Sequence, residues 1–110
     1  MPNKTVLLIT NFPDEATAAR IATDLLNERL IACVNIMAPC RSLYRWQGKL
    51  QDETETPAWF KTTARQASVA SERLAELHPY DVPEVLVVQP KDVHPAYQTW
   101  VHKQTREQTS

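Results

Sequence analysis

Glycine is almost absent from this sequence, whose 110 residues contain one glycine, Gly48, and eight prolines. Long apolar runs are missing as well. The longest one near the N-terminus covers residues 6–9, which is far too short for a signal-peptide core or a membrane span. We therefore expect a cytoplasmic protein without a membrane partner.

Cysteine is scarce too, with only Cys33 and Cys40 present. A regular strand between them would hold their Cα atoms about 23 Å apart, whereas a disulfide tolerates about 7 Å. The sequence therefore predicts two reduced thiols, which is what a cytoplasmic protein normally contains.

Neither sign of charge dominates, because 12 Lys and Arg stand against 13 Asp and Glu, for a net charge of −1. A nucleic-acid-binding domain normally carries a basic stripe, so this balance argues against a nucleic-acid partner. The length is typical of one domain, and without any linker or low-complexity stretch we predict a single domain over residues 1–110.

The single glycine indicates a β-hairpin within "YRWQGKLQDETE", residues 44–55. Glycine reaches positive φ at low cost, and two-residue hairpin turns require that conformation. A turn at residues 47–48 pairs Trp46 with Lys49 and Tyr44 with Gln51. One face of the ribbon then carries Tyr44, Trp46, Glu53 and Glu55, and neither face is a plain hydrophobic underside. Since a two-stranded ribbon is unstable alone, we expect support from its own domain or from another chain.

The remaining elements follow from apolar periodicity and from start and stop residues. Asp14 is the predicted N-cap of a helix, and an apolar helical stripe follows it. That stripe consists of Ala18, Ile21, Ala22, Leu25 and Leu26. Further predicted elements are a buried strand over 4–10, a strand over 33–37 that continues past an irregularity at Pro39 into the hairpin, a returning strand over 50–63, a helix over 66–77, a buried strand over 85–88 and a tail helix over 94–107. Pro57 cannot donate to a ladder, so it marks an edge or a bulge, and a bulge would reverse the faces of Trp59 and Lys61.

The order β-α-β-β-α-β with a long central hairpin and a C-terminal helix predicts an α+β, ferredoxin-like fold. This fold hosts many functions, and three of them lack their motifs here. The loop over residues 10–14 has no glycine for binding an acyl phosphate. The central strands lack the glycine and aromatic pattern of an RNA-binding domain, and no cysteine pair flanks the first loop as in a soft-metal chaperone.

A few residues remain as candidates for function. His78 ends a predicted helix, where the dipole favours an imidazolium, and a metal-ligand role is the alternative. Cys33 begins an apolar strand, where a free cysteine usually acts as a small core residue. Glu53 and Glu55 form either a solvated acidic edge or part of a pocket, which Lys61 could neutralise. No Ser-His-Asp or Cys-His pair is visible, which argues against nucleophilic catalysis. We do not expect an enzyme, and one that uses Glu53 or Glu55 as a base is the least favoured alternative.

Five stretches of the chain together resemble one family, the CutA divalent-cation tolerance proteins. They are "ERLIACVNI" (28–36), "SLYRWQGKLQDETE" (42–55), "KTT" (61–63), "HPYDVPEVLV" (78–87) and "YQTW" (97–100). They follow the family's order and spacing over nearly the whole chain. The resemblance implies a ferredoxin-like subunit of a tight homotrimer, similar in build to the PII signalling proteins, in which the long hairpins extend the sheets of neighbouring subunits.

The resemblance also implies a part in the response to divalent metal ions. Copper is attributed to some members through cysteine and histidine, and the matching positions here are Cys33 and His78. A further cysteine on the first strand of some members is replaced by Thr10, which weakens a copper site because Cu(I) prefers sulfur ligands. Cys40 and Pro57 do not belong to the family pattern. We expect copper or another divalent cation to bind weakly.

The family has a cleft between subunits, and seven residues here match it. They are Tyr44, Trp46, Glu53, Glu55, Lys61, Tyr80 and Glu84. The alternative function is therefore that of a PII-like module that binds a small anion or metabolite, or a signalling ligand, in this cleft.

Overall fold

The computed structural model describes residues 3–105. Its elements in chain order are β1 (Thr5–Phe12), α1 (Glu15–Asn27), β2 (Cys33–Ile36), β3 (Cys40–Trp46), β4 (Lys49–Thr63), α2 (Ala64–Leu77), β5 (Leu86–Val88) and α3 (Pro95–Gln104). The strands pair antiparallel in the order β2-β4-β1-β5, and β3 pairs with the other end of β4. This order is the ferredoxin-like arrangement, so the predicted fold is confirmed.

The core lies between one face of the sheet and the helices α1 and α2. Alternation along β1 sends its even-numbered side chains, such as Leu8 and Phe12, into this core. Asp14 caps α1 by accepting a hydrogen bond from the Thr17 backbone N–H at 2.7 Å, as predicted. The apolar stripe of α1 is buried except for Leu26, which is 39% exposed, so its assignment to the stripe was wrong.

The hairpin has the predicted register, with Trp46 opposite Lys49 and Cys40 opposite Glu55. Gln47 and Gly48 have φ values of 51° and 77°. Positive φ at both central residues matches the twist of the flanking strands. The ribbon of β3 and the first half of β4 extends beyond the rest of the sheet, because only β3 pairs with it there.

The strand irregularity lies at Ala38 and Pro39, as predicted for Pro39, and opposite Thr56 rather than at Pro57. The Met37 N–H donates to the Pro57 carbonyl at 2.9 Å, while Cys40 faces Glu55. Two residues, Ala38 and Pro39, therefore oppose a single residue of β4, which is a β-bulge. Pro57 also faces β1, so it does not mark an edge. Its missing N–H falls where the β2 ladder gives way to β3, and a central strand can tolerate proline there.

The strand β5 is shorter and more exposed than predicted. It spans three residues, Leu86, Val87 and Val88, which are 52%, 51% and 40% exposed. The prediction of a buried strand was wrong because β5 forms the end of the sheet order and has a neighbour on one side only. Apolar sequence alone does not distinguish a strand buried within one chain from a strand that one chain leaves uncovered.

The helix α3 packs on the sheet face opposite to α1 and α2. The Tyr97 hydroxyl lies 3.4 Å from the Cys33 sulfur, and the Thr5 N–H donates to the Gln98 side chain at 3.3 Å. The predicted tail helix is confirmed up to Gln104, while residues 106–107 of that prediction lie outside the described residues. Beyond α3 this face leaves Trp59 and Leu86 exposed. Within residues 3–105 no helix is long and apolar enough to cross a membrane.

Two buried threonines give a test of this packing. The Thr62 hydroxyl donates to the Leu30 carbonyl at 2.7 Å, whereas the Thr10 hydroxyl has no partner among the described residues. Valine has nearly the same shape without the hydroxyl. We expect Thr10→Val to raise the free energy of unfolding by about 1 kcal/mol, because burying an unbonded hydroxyl is costly.

The matched change Thr62→Val should lower the free energy of unfolding by about 1 to 3 kcal/mol, because the Leu30 carbonyl then loses its partner. Urea unfolding at one protein concentration measures both. A destabilising Thr10→Val would show that the Thr10 hydroxyl does have a hydrogen-bond partner in the folded protein.

Candidate functional site

A cleft of about 580 Å³ opens where the ribbon meets the segment after α2. Five of the residues that line it are predicted by the sequence, namely Tyr44, Trp46, Glu55, Tyr80 and Glu84. Five others were missed, namely Asn11, Ser42, Leu43, Asp81 and Val82. Ser42 could have been found, because it faces Glu53 in the predicted hairpin register. Asn11 was missed because β1 continues two residues beyond the predicted apolar run.

The ribbon and the segment after α2 are joined by a hydrogen bond at the base of the cleft. The Tyr80 hydroxyl donates to the Glu55 carboxylate at 2.9 Å. Burial and this bond raise the pKa of Tyr80 well above its usual value, since the negative charge of Glu55 disfavours a phenolate. Partial burial likewise raises the pKa of Tyr44, with added repulsion from Glu53 and Glu55. Both tyrosines therefore stay neutral hydroxyl donors at any physiological pH.

The opposite wall of the cleft is fixed to the end of β1. The Asn11 side-chain amide donates to the Glu84 carboxylate at 3.2 Å. Asn11 can reach it because β1 extends to Phe12, which brings this polar residue beside the segment after α2. Two carboxylates of the cleft, Glu55 and Glu84, are thus each oriented by one neutral donor.

His78 lies behind the cleft and joins three elements. Its Nε2 atom lies 2.7 Å from the Asn11 carbonyl, and the Tyr80 backbone N–H donates to its Nδ1 at 3.1 Å. A carbonyl only accepts and an amide N–H only donates, so the ring is the neutral tautomer protonated on Nε2. The ring also stacks on Phe12 with centroids 4.9 Å apart and is 6% exposed. Burial lowers the pKa of His78, although the Asn11 carbonyl and the Glu55 charge oppose the shift.

His78 and Cys33 do not fit a shared copper site. Each ring nitrogen of His78 is already bonded to the backbone, which leaves no free lone pair for a metal. Cys33 faces Lys61 on β4, whereas the Asn11 that His78 contacts faces Pro57. These positions are about 13 Å apart along the strand. Within residues 3–105 no group of three His, Cys, Asp or Glu side chains is placed to hold a metal ion.

Cys33 has a different partner, the Tyr97 hydroxyl of α3. Burial, followed by the contact with this thiol, raises the pKa of Tyr97 to about 12. Cys40 lies on the ribbon, with its sulfur 3.7 Å from the Ser42 hydroxyl. Both thiols are free. Cys33 lies on β2 and Cys40 on β3, and these two strands pair with opposite ends of β4.

Two of the sequence-predicted cleft residues do not line this cleft. Lys61 faces Leu7 of β1 and Cys33 of β2, at the far end of β4. Glu53 faces Ser42 and affects the site through its charge, which acts on both Tyr44 and Tyr80. The lining carries Glu55, Asp81 and Glu84 but, among the described residues, no lysine or arginine.

The fold is ferredoxin-like with an elongated hairpin, and its cleft is lined by acidic and aromatic side chains. The family model described as "CutA1 divalent ion tolerance protein" matches residues 6–104. The divalent-cation tolerance protein CutA of Pyrococcus horikoshii is 38% identical over 101 residues, which are 92% of this chain and 98% of that protein. The CutA of Thermus thermophilus is 40% identical over 100 residues, which are 91% and 96% of the two chains.

The same relation holds in three dimensions. The crystal structure of CutA from Xylella fastidiosa superimposes with a TM-score of 0.90 at 37% identity, covering 94% of this chain and 99% of that one. The chain therefore belongs to the CutA1 divalent ion tolerance family.

The buried neutral state of His78 predicts how stability depends on pH. The folded-state pKa lies below the ordinary value of 6.5, so the unfolded chain takes up this proton first as the pH falls. The stability that this group contributes should be present above pH 6.5. Below that pH the free energy of unfolding should decline, by at most about 1.4 kcal/mol per pH unit from this group. Urea unfolding between pH 7.5 and pH 5, at one protein concentration, measures the decline.

The variant His78→Gln serves as the comparison, because glutamine does not titrate. It should be less stable at pH 7.5 and should decline less steeply towards pH 5. Equal slopes for both proteins would show that His78 is not the titrating group.

Proposed function

We propose that the protein acts as a cytoplasmic homotrimer in the tolerance of divalent metal ions, as a binding protein and not as an enzyme. Family membership supports the link to divalent cations. The free state of Cys33 and Cys40 agrees with a reducing compartment. The apolar sheet face around Trp59 is the observation that carries the proposed trimer.

The trimer accounts for two features that a single chain leaves unexplained. Trp59, Leu86 and Val88 are exposed on the part of the α3-bearing sheet face that α3 leaves uncovered. The ribbon extends past the sheet with only its own two strands to hold it, which is marginal in water. Association of three copies would bury the apolar face and support each ribbon against a neighbour.

We propose that the divalent cation is bound weakly. Within residues 3–105 no three ligand side chains converge, so strong binding would need ligands from more than one subunit. For copper, Cys33 offers the sulfur that Cu(I) prefers. Both ring nitrogens of His78, in contrast, are hydrogen-bonded to the backbone. His78 would have to release two backbone hydrogen bonds before it could act as a ligand.

Native mass spectrometry tests subunit number and metal together. After equilibration with limiting copper under reducing conditions and desalting, we expect three chains per particle and partial copper occupancy. Cys33→Ser should abolish retained copper, whereas Cys40→Ser, the matched change on the ribbon, should not.

Each result bears on a separate part of the proposal. A monomer would contradict the trimer. Copper retained unchanged by Cys33→Ser would exclude Cys33, and copper lost in His78→Gln without loss of the trimer would restore His78 as a ligand.

A second candidate function is that of a PII-like module with a small-molecule ligand in the cleft. Its volume of about 580 Å³ supports this, since ligand sites commonly measure about 300 to 1,000 Å³. Aromatic side chains and a few oriented polar groups line it, which is the usual composition of such sites.

A thermal-shift screen of metabolites tests the second candidate, because a ligand of the folded state raises the melting temperature. We expect at least one stabiliser whose effect Trp46→Ala abolishes. Trp100→Ala is the matched control, because Trp100 is similarly exposed but lies on α3, outside the cleft. Stabilisation that survives Trp46→Ala would place the ligand elsewhere.

A further inference from the structure

We propose that the ligand of the cleft is an organic cation, with a guanidinium group as the best-matched chemistry, and not an anion. This inference rests on the proposed ligand-binding role of the cleft. It names the chemical class of that ligand from the side chains that line the cavity.

The charge of the lining selects against an anion. Glu55, Asp81 and Glu84 line the cleft without a lysine or arginine among the described lining residues. Glu53 adds negative potential, because its charge acts on Tyr44 and Tyr80 inside the site. An anion would meet like charges from both walls, whereas a cation would be attracted before and after it enters.

The aromatic side chains present faces that suit a cation. Tyr44 and Trp46 share one face of the ribbon, and they are 41% and 45% exposed at the cleft. A cation over a tyrosine or tryptophan face is attracted by the ring quadrupole. Tyr80 contributes a third ring to the lining, with its hydroxyl held by Glu55.

The carboxylates are placed for N–H donors and not for a small metal ion. Glu55 and Glu84 each accept one bond from within the protein, and a carboxylate has further lone pairs for a ligand. Among residues 3–105 no three such groups converge on one point, as a metal ion requires. A guanidinium fits this layout, because it stacks on aromatic faces and donates in its plane to carboxylates.

The test compares three soluble amino acids on the full-length assembled protein by isothermal titration calorimetry. L-Arginine carries the guanidinium, L-citrulline carries its neutral isostere, and L-glutamate carries a carboxylate. We expect arginine to bind about tenfold more tightly than citrulline, the size of a partly desolvated cation–π contact with an added ion pair, and glutamate to show no saturable binding.

Two charge-removing variants locate the effect. Glu84→Gln keeps the shape of the side chain in the cleft, and we expect it to weaken arginine binding about fivefold while citrulline binding stays the same. Glu72→Gln removes a charge from the exposed face of α2 and should change neither. An equal loss in both variants would mean that net charge and not the cleft attracts arginine, which overturns the inference.

The remaining outcomes separate the inference from the function on which it rests. Equal binding of citrulline, or tighter binding of glutamate, in a manner that Trp46→Ala abolishes, would overturn the cationic class and keep the cleft as a ligand site. No saturable binding of any of the three would overturn the inference, and the metabolite screen would then decide the cleft's role independently.

Discussion

The antiparallel pairing of β4, a strand of fifteen residues, with three neighbouring strands positions both the core and the ribbon. Its C-terminal half pairs with β1 and β2 and sends Ala58, Phe60 and Thr62 into the core. Its N-terminal half pairs with β3 and forms the ribbon. Because β4 runs without interruption, the alternation of its side chains ties the core face to the opposite face. A shift of the pairing register by one residue would place Trp59 in the core instead of Phe60 and would move Glu55 out of the cleft.

The geometry of the cleft depends on the strand pairing of β4 and on the buried ring of His78. Glu55 of β4 holds the Tyr80 hydroxyl, while His78 holds the Tyr80 backbone and the end of β1. Asn11, at that end, orients Glu84. The side chains that could meet a ligand are therefore positioned by groups that also stabilise the fold. This dual role explains why a histidine that resembles a metal ligand in sequence is instead fully bonded within its own chain.

The elements that sequence could predict are those controlled by local chemistry. Gly48 located the hairpin turn and its register, and Asp14 located the start of α1, because positive φ and helix capping depend on single residues. Exposure was harder to predict. The apolar residues of β5 predicted a buried strand, although they are exposed to solvent in the single chain. The bonding of His78 was also out of reach, because its partners come from β1 and depend on how far that strand extends.

We propose that the uninterrupted β4 builds the core with one face and forms an interface between copies with the other. Sedimentation velocity of Trp59→Lys beside the wild-type protein tests this most directly, because Trp59 lies on the face away from the core. We expect a wild-type particle of three chains and a smaller, folded Trp59→Lys species, since a buried lysine without a partner is costly. A Trp59→Lys protein that sediments with the wild-type particle, or a wild-type monomer, would contradict it.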